Sequence, residues 1–187
     1  MRHTGTQAIE TERLRLRRVS EADAPAMYEN WAADPAVTRF LRFTPHENIG
    51  VSRALLADWN ARYACDTHYL WGIERKADGV LMGTIGVSPS EHDAAVQEPG
   101  YCIGRAFWGC GYMTEALHAV VAYMFSTVGV GRLDCCHAVE NLASGRVIQK
   151  NGFVFQREDV YHKFDGTPVP CRCYTITKEN YERNFAG

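Results

Sequence analysis

Between the aromatic pair Phe107-Trp108 and a run of apolar residues at helical spacing stands Gly109-Cys110-Gly111. A helix N-terminus leaves main-chain N–H groups unpaired and carries roughly half a positive charge. Glycine lets the backbone come close to an anion. Gly109, Cys110, Gly111 and Tyr112 are therefore a candidate row of amides for a phosphate or pyrophosphate. A Gly-x-Gly ahead of a helix serves a tight turn equally well, so the rest of the chain must say whose phosphate it would be.

Two cofactor classes are excluded by missing residues. A P-loop requires Lys and Ser/Thr after its second glycine, whereas Gly104 and Gly109 lead into Cys110-Gly111. A dinucleotide fingerprint requires a third glycine where Thr114 stands, and an acidic residue about 20 residues on, closing a second strand. Neither is present, and the motif lies midway along the chain.

The elements that must position this loop follow from periodicity. Arg13-Leu14-Arg15-Leu16-Arg17 alternates, predicting a strand over 13–19. Ser20 and Asp23 open a helix with Ala24, Met27, Tyr28 and Trp31 on one side, and Asp34-Pro35 ends it. Residues 36–48 are irregular but carry Phe40, Leu41 and Phe43; a helix follows over 50–64. Strands are expected at 69–75 and 80–88, joined at Asp78-Gly79, and at 100–104, just before the glycine loop. Met113, Leu117, Val120, Val121, Met124, Phe125 and Val128 mark a helix with a broad core face, ended near Gly129. Residues 133–139 are apolar on both faces, as in a central strand. Asn141 caps a short helix that ends at Asn151-Gly152, and strands at 153–158 and 170–177 close the chain. The unit from 100 to 139 is a right-handed crossover between parallel strands, with the glycine loop at the carboxyl end of the first.

Composition bounds the answer. The 187 residues suit one domain, 46% hydrophobic and 22% charged. A net charge of −2 gives no nucleic-acid footprint. No apolar run reaches the ~18 residues of a membrane helix, and MRHTGTQAIETE has no signal-like apolar core, so no membrane partner and a cytoplasmic location are expected. The seven cysteines include Cys135-Cys136 and Cys171-x-Cys173 but no C-x-x-C and no Cys/His zinc spacing. They read as reduced small hydrophobes, with no metal expected; Cys110, in the glycine loop, is the exception.

GRAFWGCGYMTEAL, followed by HAVENLASGRVIQKNGF and preceded by IETERLRLRRVSEADA, resembles the GNAT superfamily of acyl-CoA N-acyltransferases. More narrowly it resembles the RimJ/RimL branch, the ribosomal-protein N-terminal acetyltransferases and their relatives. The similarity spans about 9–182 of a single domain, 1–187. The superfamily pattern Q/R-x-x-G-x-G/A falls on Trp108 to Met113 and matches its fixed positions only at Gly111. Trp-Gly-x-Gly-Tyr followed by Thr-Glu-Ala is common in the RimJ/RimL branch. The resemblance implies an α/β (α+β) fold of the GNAT type. Its central mixed, mostly antiparallel, twisted sheet would have about seven strands with a splayed parallel pair, flanked by about four helices.

The resemblance also implies a chemistry. The pyrophosphate of acetyl-CoA, the co-substrate, would rest on Trp108, Gly109, Cys110, Gly111, Tyr112, Met113 and Thr114. The pantetheine arm would run between the splayed strands, past Tyr101 and Ile103, to Asn141 and Ser144. A main-chain N–H near residue 103 would polarise the thioester carbonyl, a donor worth about 2.7–4 kcal/mol. The Ser144 hydroxyl would protonate the departing thiolate. Glu98 is the first candidate for the base, directly or through a water, although a solvated carboxylate just before the strand reads equally well. His137 is second, against a place as a satisfied core histidine; Tyr161 and His162 are weaker. Tyr28, Trp31, Phe40 and Phe43 form the candidate acceptor wall, residue types that also serve as core. The expected acceptor is a peptide α-amine or a small-molecule amine, the protein a monomer or homodimer. A non-catalytic CoA-binding module and a plain structural domain are the competing classes.

Overall fold

The computed structural model describes residues 1–90, 93 and 95–185. Its strands are β1 (Ile9–Glu10), β2 (Leu14–Arg17), β3 (Tyr69–Arg75), β4 (Leu81–Pro89), β5 (Gln97–Ile103), β6 (Arg132–Ala138), β7 (Val154–His162) and β8 (Pro168–Thr177). Its helices are α1 (Ala24–Met27), α2 (Pro35–Thr38), α3 (Ile49–Arg62), α4 (Tyr112–Tyr123), α5 (Leu142–Lys150) and α6 (Lys178–Phe185). The strands form one sheet in the order β1-β2-β3-β4-β5-β6-β8-β7, antiparallel except for β5 beside β6.

The eight strands and six helices exceed the expected seven and four among the described residues. β1 is a two-residue strand, too short for a periodic signal. Asp34-Pro35, expected to stop a helix, also starts one: the Asp34 carboxylate accepts from the Ala36 N–H (2.8 Å) and Pro35 takes the first helical position, where no N–H is needed. α6 presents Tyr181 and Phe185 to His118, with ring centroids at 6.0 and 5.0 Å. β7 runs on to His162 rather than ending at 158, and β5 begins at Gln97 rather than residue 100, so Glu98 lies inside a strand.

Two apolar layers sandwich the sheet. On one face Leu14, Leu16, Trp71 and Ile85 pack with Met113, Leu117, Val120 and Phe125 of α4 and its continuation, and with Ile148 of α5. On the other, Val19, Met27, Trp31 and Leu56 pack beneath α1 and α3. α1 widens into a π-helical turn at Tyr28–Ala32, and this turn presses on the end of β5. A Cβ on Gly104 would stand 2.4 Å from the Asn30 carbonyl oxygen, so only glycine fits there. Arg105, one residue on, pairs with Asp34 at 3.0 Å.

Candidate active site

β5 is hydrogen-bonded to β4 along its whole length but meets β6 at a single register pair, Gln97↔Leu133. Beyond that pair the two parallel strands diverge. The Gly104 N–H donates to the Met82 carbonyl (2.8 Å), which sets the parity of the ladder. Even-numbered residues of β5 bond to β4, and Tyr101 and Ile103 turn their main-chain groups toward the gap. The Ile103 carbonyl accepts from the Trp108 indole N–H (2.8 Å), which ties the aromatic pair to the strand end. Pro99 obeys the same parity: its missing N–H falls on the gap side, so the β4 ladder is intact, and its carbonyl accepts from the Cys135 thiol at 3.4 Å.

The glycine loop lies at the carboxyl end of β5. Gly109 and Gly111 have φ of 75° and 80°, the left-handed region open to glycine, and Gly111 is the residue that admits α4. Among the described residues, the main-chain N–H groups of Gly109 to Thr114 have no hydrogen-bond acceptor. Six adjacent free amides at a helix start fit a pyrophosphate.

Arg13 holds this loop. Its Nε donates to Glu115 Oε2 (2.7 Å), its Nη1 donates to the Cys110 carbonyl (3.0 Å), and its guanidinium lies 4.6 Å from the centroid of the Tyr112 ring. The Glu115 carboxylate, partly desolvated, is nevertheless held below its ordinary range by bonds from Thr11 and from the Arg13 main chain and side chain. An open groove beside the loop is lined by Arg13, Thr114, Lys150 and Asn151. Arg13 gave only a strand signal in sequence, because its role depends on β2 lying next to α4, which alternation cannot reveal.

Asn141 caps α5, its side-chain carbonyl accepting from the Ser144 N–H at 3.2 Å. Ser144 Oγ lies 2.9 Å from the Tyr101 hydroxyl, so the two hydroxyls are coupled across the gap from β5 to α5. Burial drives the Tyr101 phenol well above its ordinary value, so it stays protonated and available as a donor. Tyr101 was expected only as a strand residue beside the pantetheine; its hydroxyl contact could not be seen without the crossover.

Glu98 sits on the opposite face of the sheet, where its Oε1 accepts from the Cys136 thiol at 3.2 Å. It lines a narrow cleft together with Asp134, Cys136, Arg157, Tyr161 and Cys171. The Asp134 carboxylate is already held by Arg132 (2.8 Å) and the Thr175 hydroxyl (2.6 Å). His137 is on the other side of β6, beneath α5, where its Nδ1–H donates to the Ala138 carbonyl (2.8 Å) and Nε2 lies 3.3 Å from the Tyr174 hydroxyl. Burial lowers its affinity for a proton, and it lies so close under α5 that a Cβ on Gly145 would come 2.8 Å from Nε2. Glu98 and His137 therefore occupy different faces.

The aromatic residues also separate. Phe40 packs beside Cys136 and Tyr161 and receives the Tyr161 hydroxyl on its carbonyl (2.7 Å). Phe43 is half-buried against His46 (5.2 Å between centroids), and the Tyr28 hydroxyl reaches the Glu47 carbonyl at 3.4 Å. Trp31 is 1% exposed inside the second apolar layer. Tyr161 lines the cleft and His162 is exposed at the end of β7. Among the described residues no group of three or more His, Cys, Asp or Glu is arranged to hold a metal, and no helix is long and apolar enough to cross a membrane.

A splayed parallel pair and a row of free amides at a glycine-led helix form the candidate site. The chain belongs to the GNAT acetyltransferase family, whose domain, described as acetyltransferase (GNAT), matches residues 13–154. It is an acyl-CoA-dependent N-acetyltransferase. It is 33% identical to the uncharacterized N-acetyltransferase YoaA of Bacillus subtilis over 91% of this chain and 96% of that one. Its fold is similar to a GNAT-family acetyltransferase from Bacillus anthracis (TM-score 0.79, 20% identity, 92% and 99% of the two chains). It is also similar to RimL, the ribosomal L7/L12 alpha-N-protein acetyltransferase solved with coenzyme A (TM-score 0.78, 18% identity, 91% and 98%).

Proposed function

We propose that the protein moves the acetyl group of acetyl-CoA to the α-amine of a peptide or protein, by direct attack in a ternary complex. The observation that carries this is the position of the β5–β6 gap. It opens on free amides at the helix end and lies between the Ser144–Tyr101 pair on one face and Glu98 on the other. Acetyl-CoA supplies the activated acyl group; the residues of this chain bind it, aim the amine and move protons.

The amides of Gly109 to Thr114 and the guanidinium of Arg13 hold the pyrophosphate, and the gap-facing edge of Tyr101 and Ile103 holds the pantetheine arm. The Ile103 N–H points into the gap and donates to the acyl carbonyl oxygen. Glu98 takes the proton of the incoming ammonium, directly or through a water, so that the amine attacks neutral. The Ser144 hydroxyl, backed by Tyr101, delivers a proton to the leaving sulfur. The acceptor enters by the cleft beside Glu98, with Phe40, Phe43 and Tyr28 on its approach. An ammonium is drawn there by Glu98.

The test is a panel of N-terminal peptides and small amines (a polyamine, an aminoglycoside, free amino acids), followed by release of free CoA. Peptides turning over with the highest kcat/KM support the proposal. Turnover of small amines alone replaces the acceptor, and binding of acetyl-CoA without any product replaces catalysis with sensing.

A further inference from the structure

The cleft beside Glu98 continues across the sheet to its edge. Parity on β6 puts Leu133 and Cys135 in the α4 layer and turns Cys136 to the opposite face. Among the described residues, the apolar cluster on that face of β6, β7 and β8 draws on strand residues and on Phe40 from the loop after α2, and on no helix. Strand register lays one row of side chains along the open face. Glu98, next to the single β5–β6 register pair, accepts from the Cys136 thiol (3.2 Å). Cys136 stands opposite Cys173, and Cys173 opposite Arg157. The row begins at a carboxylate on β5, crosses two small thiols and ends at a guanidinium on the edge strand β7, and each of these side chains lines the cleft.

We propose that Arg157 determines acceptor specificity: it takes a side-chain carboxylate of the acceptor peptide while the peptide's α-amine sits at Glu98, so the protein selects N-termini with Asp or Glu at the third, fourth or fifth residue. The proposal rests on the reading of Glu98 as the place of the amine and of a peptide as the acceptor.

Arg157 has the donors for this. Its Nε donates to Asp159 (3.1 Å), and among the described residues that is its one side-chain bond, so both Nη groups are open. Its side chain is 48% exposed, within reach of a ligand in the cleft. The two Nη groups of a guanidinium match a carboxylate, and an exposed pair with one neighbour leaves that capacity in place. Arg42, the other cation of the cleft, lies over the Tyr161 ring (5.4 Å) and bonds the His162 carbonyl. Sheet geometry supplies the ruler. Neighbouring strands lie about 4.8 Å apart, so the three steps from β5 through β6 and β8 to β7 span about 14 Å. An extended peptide advances about 3.3 Å per residue, so a side chain about four residues from the amine stands over Arg157. The length of the arginine side chain admits one residue either way. The carboxylate of a free amino acid lies too close to its own amine to reach both ends of the row.

The experiment uses the full chain, acetyl-CoA and C-terminally amidated heptapeptides of serine followed by alanines. One Glu, or one Gln for comparison, is moved from position 2 to position 7, and kcat/KM is read from release of free CoA. The expected result is a preference for Glu over Gln of about tenfold or more within positions 3 to 5, the size a charge-assisted bond gives, and a ratio near unity at 2 and 7. The ratio falls toward unity in Arg157→Gln. Arg157→Glu prefers Lys to Glu at the same position, a reversal that only a folded cleft can show. Turnover without a Glu preference, a preference that peaks outside positions 3 to 5, or a ratio retained in Arg157→Gln overturns this proposal and leaves the peptide reading standing. No turnover of any peptide overturns both.

Discussion

At the scale of single residues, the proposed chemistry divides between two faces of one sheet. Glu98 is reached from the cleft and Ser144 from α5, with the β5–β6 gap between them. Changing Glu98 to Gln keeps the shape and the bond from Cys136 but removes the base; kcat should fall by about 10²-fold or more with the KM for acetyl-CoA unchanged. Steady-state rates across pH check this, because the loss should shrink as pH rises and more amine is neutral in solution. Ser144→Ala and Tyr101→Phe should each lower kcat more than they weaken acetyl-CoA binding. Since the two hydroxyls are 2.9 Å apart, the double variant should lose less than the product of the two single losses. Full additivity in that cycle would separate Tyr101 from the proton donor.

At the scale of elements, the glycine loop, β5 and Arg13 act as one unit. Gly111 has φ 80° and a Cβ there would approach Arg13 Nη2 at 3.4 Å, so Gly111→Asp adds strain and a charge where the pyrophosphate is expected. Saturating acetyl-CoA at about 100 times its Kd should stabilise the wild type by about 2.7 kcal/mol, a rise in Tm on the order of 5–10 °C. Gly111→Asp should abolish that rise. Arg13→Ala should weaken acetyl-CoA about tenfold or more, from the loss of charge-assisted bonds that steady the loop; an unchanged Kd by calorimetry would remove Arg13 from the site. The loop, α4, α5 and the crossover were legible because each carries its own local signal: glycines, apolar spacing, the Asn141 cap. What stayed hidden depends on pairing. Pro99 masked the start of β5, since a proline inside a central strand is tolerated only when its N–H side faces a gap that no local pattern announces. Asp34-Pro35 serves both as a stop and as a start, and α6 is recognisable only by its packing on α4. The contacts of Arg13 and of Tyr101 with Ser144 join residues far apart in sequence.

At the scale of the whole molecule, buried histidines set the response to acid. Burial lowers the proton affinity of His46 and His68, and of His137, where the bond to Ala138 opposes it. Each starts from 6.5 in the unfolded chain, so below that value the unfolded state binds more protons than the folded one. Their contribution is complete above about pH 6.5 and is lost as pH falls through the lower folded values. Tm should therefore drop between pH 7.5 and 5, and His137→Gln, which retains a polar partner for Tyr174, should flatten that slope. Calorimetry at the two pH values decides; a slope unaltered in the variant would assign the acid sensitivity elsewhere.

The single register pair Gln97↔Leu133 has a mechanical meaning as well. Edge to edge, strands β1 to β5 and β6 to β8 are two plates that share a single ladder pair and a few side-chain bonds, Cys135 to Pro99, Cys136 to Glu98 and Tyr101 to Ser144, with α4 as the strap between them. Acetyl-CoA lying along the gap would touch both plates at once and take the place of the missing ladder. The co-substrate is then a rivet as well as an acyl donor: amide exchange on the two plates should proceed at separate rates in the free protein and merge toward one when it is loaded.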